Sequence, residues 1–449
     1  MKRFIDHIKK YTADKEICIL GFGREGRATY EILTKYCVPS KITIADLNSV
    51  DRESNALPDS VNLICGKDYQ KTLDDFDVVF KSPGIVLEKS PKELKCVINS
   101  ETQVFFEVYR EQIIGITGTK GKSTVTSLIY HILKESGKEC FIAGNIGIPV
   151  FNIVEDMTEN SIVVCELSCH QLEYMKVSPA CAVYLNLFEE HLDHYGTMKA
   201  YRRAKNNIFT HQEEGDCLLI ESSIKPALCR SYVHTISAED STADIFVSNG
   251  IIDNNDNGDT YIIPSDKIKL LGVHNHYNIA VARFITAPFV TRKQFENALC
   301  SFDPLAHRLE FVAEINGVRW YDDSISTACA TAIEAVKSIP NAGTILIGGM
   351  DRGIDYAPLV KFFNDTDINV ICMEASGKRV HDMMQDTEFN DISRIYYVPH
   401  LDEAVKLAAE ITPAGKSCVM SPAAASYGIF KNFEERGDAF KKLVAKLKD

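Results

Sequence analysis

The sequence predicts a mixed α/β protein of three domains, and three observations carry that prediction. Short apolar strands alternate with helix-like segments near the start of the chain, as at Ile17–Leu20, Lys41–Asp46 and Asp77–Lys81. The same alternation restarts at Gln112 and again at Pro304. Strands that alternate with helices are typical of parallel sheets covered by helices. A chain of 449 residues is also long enough for three domains of ordinary size.

Residues 1–108 are predicted to form a Rossmann-like domain. A polar helical segment over Met1–Lys15 precedes the first strand, and further strands are expected at Val61–Cys65 and Gln103–Phe106. The alternation of these strands with helices again indicates a parallel sheet.

Residues 109–303 are predicted to form a central domain built around a phosphate-binding loop. Strands are expected at Ser161–Glu166 and Cys181–Asn186, β-hairpins over Ala243–Ile263, and a helix from about His274 to Phe284.

Residues 304–449 are predicted to form a C-terminal Rossmann-like α/β domain. Its strands are expected at Leu309–Ile315, Thr344–Ile347, Asn369–Met373 and Ser417–Met420.

Charge and composition exclude several classes of protein. The formal net charge of -13 and the pI of about 5.5 argue against a nucleic-acid partner, which needs a basic face. The first residues lack the apolar centre of a signal peptide, and no run approaches about 18 apolar residues, so we expect a cytoplasmic protein without a membrane partner. Fourteen scattered cysteines, none in a C-x-x-C pair, indicate free thiols in a reducing compartment.

The strongest motif is a glycine-rich loop between a strand and a helix, Gly118-Thr-Lys-Gly-Lys-Ser123. Glycines let backbone N–H groups approach phosphate oxygens, and a helix N-terminus favours an anion. Lys122 is placed to span the β- and γ-phosphates of a nucleotide, and the Ser123 hydroxyl is a ligand for Mg²⁺. The pattern is two residues shorter than the usual Walker A spacing.

A second glycine-rich turn, Gly21-Phe-Gly-Arg-Glu-Gly26, follows the first strand, and Asp46 ends the next strand. This is the spacing of a Rossmann fingerprint. It fits a dinucleotide, as in an NAD-dependent oxidoreductase, or the diphosphate and uracil of a UDP-sugar. An oxidoreductase function leaves the loop at Gly118–Ser123 unexplained.

Carboxylate and imidazole groups follow two later strands. Glu166 ends an apolar strand, where a Mg²⁺ ligand belongs in a parallel sheet. The segment from Asn186 to Gly196 contains His191 and His194, and we expect a hard-metal or catalytic role for His191. Zinc is disfavoured because no third and fourth ligands stand at suitable spacing.

Taken together, the motifs resemble the Mur ligase family along nearly the whole chain. They include G-T-K-G-K-S-T, G-N-I-G (Gly144–Gly147), E-L-S-C-H-Q-L-E, N-L-F-E-E-H-L-D, H-N-H-Y-N, H-R-L-E and D-D-S. The string Ser421–Gly437, with G-F-G-R-E-G and Ser82-Pro-Gly84, is similar to the glutamate-adding members. The resemblance implies an ATP-dependent ligase that adds D-glutamate to UDP-N-acetylmuramoyl-L-alanine through an acyl phosphate, in cytoplasmic peptidoglycan precursor synthesis. It implies ATP, two Mg²⁺ ions, small-molecule substrates and a monomer.

The resemblance also assigns roles position by position. The predicted catalytic residues are Lys122, His191 and Lys205. The lysine that matches Lys205 is carbamylated in this family. The predicted metal ligands are Ser123, Glu166, His191 and carbamylated Lys205. ATP is assigned to Gly118, Thr119, Lys120, Gly121, Lys122, Ser123, Thr124, Asn275, Asn278, Arg308 and Asp323. The UDP-substrate is assigned to Gly21, Phe22, Gly23, Arg24, Asp46, Ser82, Gly84 and Asn145, and the amino acid to Thr327, Arg352, Ser426, Tyr427 and Phe433.

The departures from the family pattern fall mostly in the amino-acid pocket. The usual Lys-Ala-Thr-Asn is Ile325-Ser-Thr-Ala328 here, the usual lysine of the next loop is Arg352, and Lys120 stands where asparagine is common. These changes are similar to a branch that adds L-glutamate and uses a separate epimerase.

Two further functions compete with a Mur ligase at the level of the sequence. A folylpolyglutamate-synthase-like ligase shares the central fold, but it lacks the N-terminal Rossmann-like unit. A non-catalytic nucleotide-binding regulator would lack Lys122, Glu166 or His191, and all three are present.

Overall fold

A computed structural model describes residues 1–226, 229–387 and 389–448 and confirms the α/β class. The chain divides into two compact units, of which the first is Met1–Ile263 with Tyr277–Leu299, and the second Pro264–His276 with Cys300–Asp449. Each is described by itself. The boundaries predicted near residues 109 and 303 stay a prediction.

The first unit opens with a five-stranded parallel sheet in the order β3-β2-β1-β4-β5. Its elements are α1 (Lys2–Thr12), β1 (Glu16–Leu20), α2 (Arg24–Tyr36), β2 (Lys41–Asp46), β3 (Asn62–Cys65), β4 (Val78–Lys81), β5 (Val97–Asn99) and α3 (Glu101–Tyr109).

A nine-stranded sheet follows in the same unit. Its elements are β6 (Ile113–Thr117), α4 (Lys122–Glu135), β7 (Cys140–Gly144), β8 (Ile162–Glu166), α5 (Cys169–Leu172), β9 (Cys181–Tyr184), α6 (Leu192–Tyr195), α7 (Met198–Asn206), β10 (Cys217–Glu221), β11 (Tyr232–Ser237), β12 (Ile245–Ser248), β13 (Ile251–Asn254) and β14 (Asp259–Ile262). The strand order is β14-β13-β12-β11-β10-β9-β6-β8-β7, and only the hairpins β12–β13 and β13–β14 are antiparallel. The predicted hairpins over Ala243–Ile263 are confirmed.

Two helices, α8 (His274–Thr286) and α9 (Arg292–Ser301), contain residues of both units. The second unit holds a six-stranded sheet in the order β15-β16-β20-β17-β18-β19. Its elements are β15 (Glu310–Ile315), β16 (Val318–Asp322), α10 (Cys329–Ser338), β17 (Ala342–Gly348), α11 (Ala357–Asn364), β18 (Asn369–Met373), α12 (Glu374–Gln385), β19 (Ile395–Val398), α13 (Leu401–Ile411), β20 (Ser417–Met420) and α14 (Phe433–Ala445). Among the helices described, none is long and apolar enough to cross a bilayer.

One predicted strand was wrong. Gln103–Phe106 lies inside α3, and the fifth strand of the sheet is Val97–Asn99. The hydroxyl of Ser100 accepts a hydrogen bond from the backbone N–H of Gln103 and caps the helix. Almost every residue of α3 is buried, so its apolar run has the composition of a buried strand and no helical periodicity to reveal it.

Gly144 makes a close backbone contact with the end of β8. It lies at the end of β7 with φ +92°, and a Cβ atom there would stand 2.2 Å from the carbonyl oxygen of Glu166. The N–H of Asn145 donates to that same oxygen at 2.9 Å. Glycine is therefore required both by the left-handed backbone and by the close approach of β8.

We expect Gly144→Ala to lower the stability of the chain well beyond the cost of a left-handed alanine. Gly137→Ala is the matched control, because Gly137 also has a positive φ (+75°) but open space around its Cβ position. The control should cost about 1 kcal/mol for the backbone alone, and the overlap at Gly144 about 2 kcal/mol more. Urea unfolding followed by circular dichroism measures both. Equal losses in the two variants would mean that the contact with Glu166 is relaxed without cost.

Candidate nucleotide and ligase site

The predicted phosphate loop lies between β6 and α4, and Asn186 fixes its shape. The side-chain oxygen of Asn186 accepts hydrogen bonds from the N–H groups of Thr119 (2.9 Å) and Lys120 (2.8 Å), and its amide donates to the Lys120 carbonyl (3.0 Å). Gly121 precedes α4 with φ +84° and offers no side-chain cap. The first N–H groups of a 14-residue helix therefore face the loop without a protein cap, which is the arrangement that binds phosphate.

Two lysines bond the same backbone oxygen of this loop. Lys122 Nζ donates to the carbonyls of Gly118 (3.0 Å) and Thr119 (2.9 Å). Lys205, on α7, is 1% exposed, and its Nζ donates to the Gly118 carbonyl (2.6 Å) and to the Thr117 hydroxyl (3.3 Å). Burial, and then the charge of Lys122, lowers the pKa of Lys205 to about 7, and burial also lowers the pKa of Lys122. The pocket concentrates positive charge that an anion would stabilise.

Glu166 ends β8 as predicted and is 1% exposed. One carboxylate oxygen, Oε1, accepts a hydrogen bond from the side-chain amide of Asn145 at 2.7 Å. The other, Oε2, is buried and receives no hydrogen bond from any residue in the described part of the chain. A buried carboxylate oxygen without a donor fits a divalent cation, and Ser123 stands in the first turn of α4 as the second predicted ligand.

The two histidines of the following segment have different surroundings. His191 has a left-handed backbone (φ +57°), and 42% of its imidazole is exposed. His194 Nε2 donates to the carboxylate of Glu173 at 3.2 Å, so its ring is already engaged. His170 lies between them, with ring centroids 5.0 Å from His191 and 4.5 Å from His194. Burial, then the two neighbouring histidines, lowers the pKa of His170 to about 4.

No candidate metal cluster found among the described residues includes His191 or His194. The two clusters of His, Asp or Glu ligand atoms within 4.8 Å of one another lie elsewhere, at His234 and at His307. A cation at His191 would therefore need ligands that this arrangement of side chains does not supply by itself.

The predicted UDP-substrate residues converge on the turn after β1. The Asp46 carboxylate accepts hydrogen bonds from the N–H groups of Phe22 and Asn48, both at 2.8 Å, and Ser82 donates to the Gly21 carbonyl at 3.0 Å. A Cβ atom at Gly21 would meet Ser82 at 2.9 Å. The carboxylate of Asp46 therefore shapes the turn itself.

The first unit brings this turn and the metal-ligand candidates together. A Cβ atom at Gly147 would lie 2.7 Å from the guanidinium of Arg24. Gly147 belongs to the same short turn as Asn145, whose amide bonds Glu166. Gly84 has no heavy atom within 4 Å of its Cβ position, which leaves its backbone accessible.

Of the predicted adenine contacts, Asn278 belongs to the first unit and Asn275 to the second. The Asn278 side-chain oxygen lies 3.0 Å from the Cβ position of Gly121, against the phosphate loop. Asn275 donates to the Leu271 carbonyl at 2.6 Å within the second unit.

In the second unit, Asp323 follows β16 and is buried. Its carboxylate accepts hydrogen bonds from Ser421 (2.7 Å) and from the N–H of Leu309 (3.2 Å). Burial raises its pKa to about 6, although Ser326, Ser421 and Arg308 act in the opposite direction. The bond to Ser421 joins the D-D-S segment to the C-terminal motif.

The residues predicted to bind the amino-acid substrate lie on loops that backbone hydrogen bonds hold side by side. The N–H of Gly348 donates to the Pro422 carbonyl and that of Met350 to the Ala425 carbonyl, both at 2.8 Å. These bonds place the loop that carries Arg352 beside the loop that carries Ser426. Arg352 and Tyr427 are exposed, Ser426 is buried, and Thr327 and Phe433 are half-buried.

Sequence reasoning missed Asn186 and Tyr201 as site residues. Asn186 follows β9 at the carboxyl edge of the sheet. Polar residues at this edge are candidate site residues, and the same rule selected Glu166, so Asn186 could have been predicted. The Tyr201 hydroxyl lies 3.2 Å from that of Thr119, and only the fold reveals that contact because the two residues are far apart in the chain.

Comparisons with known proteins place this geometry in one family. Residues 116–286 match the Mur ligase middle domain. The chain is 31% identical to the UDP-N-acetylmuramoylalanine–D-glutamate ligase of Ruminiclostridium cellulolyticum over 468 residues, which cover 100% of each chain. It is 30% identical to the ligase of the same name from Clostridium kluyveri, over 99% of each.

The chain belongs to the Mur ligase family. Because it belongs to this family, the protein is an ATP-dependent ligase of cell-wall synthesis. Solved structures agree in fold. They include UDP-N-acetylmuramate-alanine ligase MurC from Thermotoga maritima (TM-score 0.60, 16% identity, 96% of this chain and 99% of that one) and MurF from the same organism in complex with ADP (TM-score 0.60, 16%, 99% and 100%).

We expect Asn186→Ala to raise the KM for ATP by about 10- to 100-fold. The substitution removes three hydrogen bonds that hold the loop, each worth about 1 kcal/mol or less in net terms. Steady-state phosphate release with varied ATP measures the effect. Asn160→Ala, in an exposed turn before β8, is the control. An unchanged KM for ATP in Asn186→Ala would show that the loop keeps its shape without this side chain.

Proposed function

We propose that this Mur ligase joins D-glutamate to the carboxylate of UDP-N-acetylmuramoyl-L-alanine, with ATP, in the cytoplasm. The observation that carries the proposal is the pocket of Lys122, Lys205 and Glu166 at the phosphate loop, in a chain aligned end to end with ligases of that name. A monomer with ATP, UDP-substrate and glutamate as small-molecule partners suffices for this chemistry. The three-domain division at residues 108 and 303 belongs to the same proposal.

The first step is attack of the substrate carboxylate on the γ-phosphate of ATP, which gives an acyl phosphate and ADP. Both reactants are anions, so the step requires positive charge held in place before the reaction. Lys122 supplies that charge, and the uncapped N-terminus of α4 supplies backbone N–H groups. The amine of glutamate then attacks the acyl carbonyl, and phosphate leaves.

The residues present also fit Mg²⁺. Ser123 and the unpaired Oε2 of Glu166 would hold one ion, and His191 with a carbamylated Lys205 a second. Bound Mg²⁺ would neutralise phosphate charge. Asn145 orients Glu166 for this role through its hydrogen bond to Oε1.

Carbamylation of Lys205 is consistent with its surroundings. An amine reacts with carbon dioxide only when it is neutral, and the pKa of about 7 leaves much of Lys205 neutral at physiological pH. The product is an N-carboxylate, formed with release of one proton. It converts a buried cation into an anionic oxygen ligand.

We expect Lys205→Ala to lower ligase activity by about 10- to 100-fold and short-chain carboxylic acids to restore part of it. The added carboxylate would occupy the space that the carbamate leaves, and loss of a metal-supporting group typically costs about 10- to 100-fold. Phosphate release with and without acetate or propionate measures the rescue. Lys199→Ala, exposed on the same helix, should behave as the unaltered chain. Absence of rescue would count against the carbamate.

The residues of the second unit that are predicted to bind the amino-acid substrate determine which amino acid the ligase uses. Glutamate has two carboxylates, and the exposed guanidinium of Arg352 is a suitable bidentate partner for one. Ile325 and Ala328 replace polar groups that the glutamate-adding pattern usually has. These replacements favour the second candidate function, in which the same reaction uses L-glutamate in place of D-glutamate.

The deciding experiment is phosphate release from ATP with UDP-N-acetylmuramoyl-L-alanine and either D- or L-glutamate. We expect release with D-glutamate to exceed that with L-glutamate by about 100-fold or more, since misplacing one carboxylate leaves a charged pair unmade. Lys122→Ala should abolish release, whereas Lys134→Ala, exposed at the far end of α4, should not. Activity with L-glutamate alone would assign the chain to the epimerase-dependent branch. Activity of Lys122→Ala near that of the unaltered chain would overturn the ligase assignment.

A further inference from the structure

Two cysteines face each other at the start of neighbouring strands in the first unit. Cys181 begins β9 and Cys217 begins β10, and the two are direct partners in the parallel register. Neighbouring strands lie about 4.8 Å apart. That spacing is within the range of about 4.4–6.8 Å between Cα atoms that a disulfide requires.

The two thiols interact with each other. The hydrogen bond between them, then burial, raises the pKa of Cys181, and the same bond lowers the pKa of Cys217. Cys217 is therefore the better nucleophile, with Cys181 as the donor that stabilises its thiolate. The fully buried cysteines Cys165 and Cys372 differ from Cys217, because burial raises the pKa of their thiols strongly.

The pair is also accessible. Both residues line a largely apolar cavity of about 480 Å³ between the sheet and α8, together with His234, Ile252 and Phe284. The two cysteines are half-buried and border this cavity, which is the route by which a small neutral reagent would reach the sulfur atoms. A thiolate needs this combination of access and lowered pKa to exchange with a disulfide.

The ends of the two strands are held in register by contacts that do not involve sulfur. Arg110 forms an ion pair with Asp216, the residue before Cys217, and donates to the Ser178 carbonyl. The N–H of Cys217 donates to the Ala180 carbonyl at 2.8 Å. Bond formation between the sulfur atoms therefore needs no movement of the strands past each other.

We propose that Cys181 and Cys217 form a reversible dithiol–disulfide site. The Cys217 thiolate attacks a low-molecular-weight disulfide, which gives a mixed disulfide and releases one thiolate. Cys181 then loses its proton to solvent and attacks the Cys217 sulfur, which releases the second small thiol. The protein loses two electrons and two protons, and the small disulfide gains them.

Closure would join the two ends of residues 181–217. This segment contains Asn186, His191 and Lys205, so the disulfide restrains the part of the chain that carries the candidate site. Disulfide formation does not depend on which amino acid the ligase uses. Its test reads sulfur chemistry and not ligase activity.

The experiment treats the full reduced chain with 2-hydroxyethyl disulfide, blocks remaining thiols and maps the peptides by mass spectrometry. We expect a peptide pair linked through Cys181 and Cys217 that dithiothreitol separates. Exposed Cys65 is the internal reference and should carry a lasting mixed disulfide. Cys181→Ser should trap the mixed disulfide on Cys217, and Cys140→Ser, half-buried at the start of β7, should leave the linked pair unchanged.

A lasting mixed disulfide on Cys217 in the unaltered chain would overturn the proposal, because Cys181 would then have failed to resolve it. So would two unreacted thiols under conditions that modify Cys65. Both outcomes are read on the unaltered chain, so the result stands even if a serine variant folds poorly. Thermal unfolding of the oxidised and reduced chain gives a second readout, and closure should raise the transition by several degrees.

Discussion

The candidate site depends on a single backbone oxygen, the carbonyl of Gly118. Two lysine side chains donate to it, Lys122 from the helix that follows the loop and Lys205 from α7. Burial lowers the pKa of both lysines, and the charge of Lys122 lowers the pKa of Lys205 further. The loop shape, the helix N-terminus and the position of α7 all serve this arrangement. An anion that enters the pocket relieves the repulsion between the two ammonium groups, and so does conversion of Lys205 to a carbamate.

A second constraint is the close approach of the turn Gly144–Gly147 to β8. Gly144 allows the backbone to touch the Glu166 carbonyl, and this brings the Asn145 amide to the Glu166 carboxylate. At the other end of the turn, Gly147 leaves room for the guanidinium of Arg24, which belongs to the glycine-rich turn Gly21–Gly26. Two glycines therefore connect the predicted sugar-nucleotide residues with the predicted metal ligand. A side chain at either position would push these groups apart.

The strands that carry site residues could be predicted from the sequence, because apolar runs followed by glycine or a polar residue mark the carboxyl edge of a parallel sheet. This rule found β1, β6 and β8 with Glu166 at its end. It failed at Gln103–Phe106, where burial on all sides hides the helical period. The role of Gly437 could not be predicted either. A Cβ atom there would lie 2.2 Å from His307 and 2.5 Å from Asp322, contacts that depend on tertiary packing.

Arg436 belongs to the C-terminal motif Ser421–Gly437, and only the tertiary structure shows what this arginine contacts. Its fully buried guanidinium donates to the carbonyls of Ser324 (2.9 Å) and Ala424 (3.0 Å), so it links the D-D-S segment to the alanine-rich part of the C-terminal motif. Burial lowers its pKa to about 10, which still leaves it charged. The arginine thus holds two loops of the second unit together.

The burial of Lys205 is the feature that a purely structural role explains least well. A buried ammonium beside another ammonium is costly, and a leucine or methionine would fill the same space without that cost. A carbamate reverses the sign of the side-chain charge. The interaction with Lys122 then becomes attractive, and the position gains oxygen atoms that can hold a cation near Glu166 and phosphate. The same burial that disfavours the ammonium keeps the amine neutral enough to react. The unfavourable resting state of Lys205 is therefore a condition for the modified state that the proposed reaction requires.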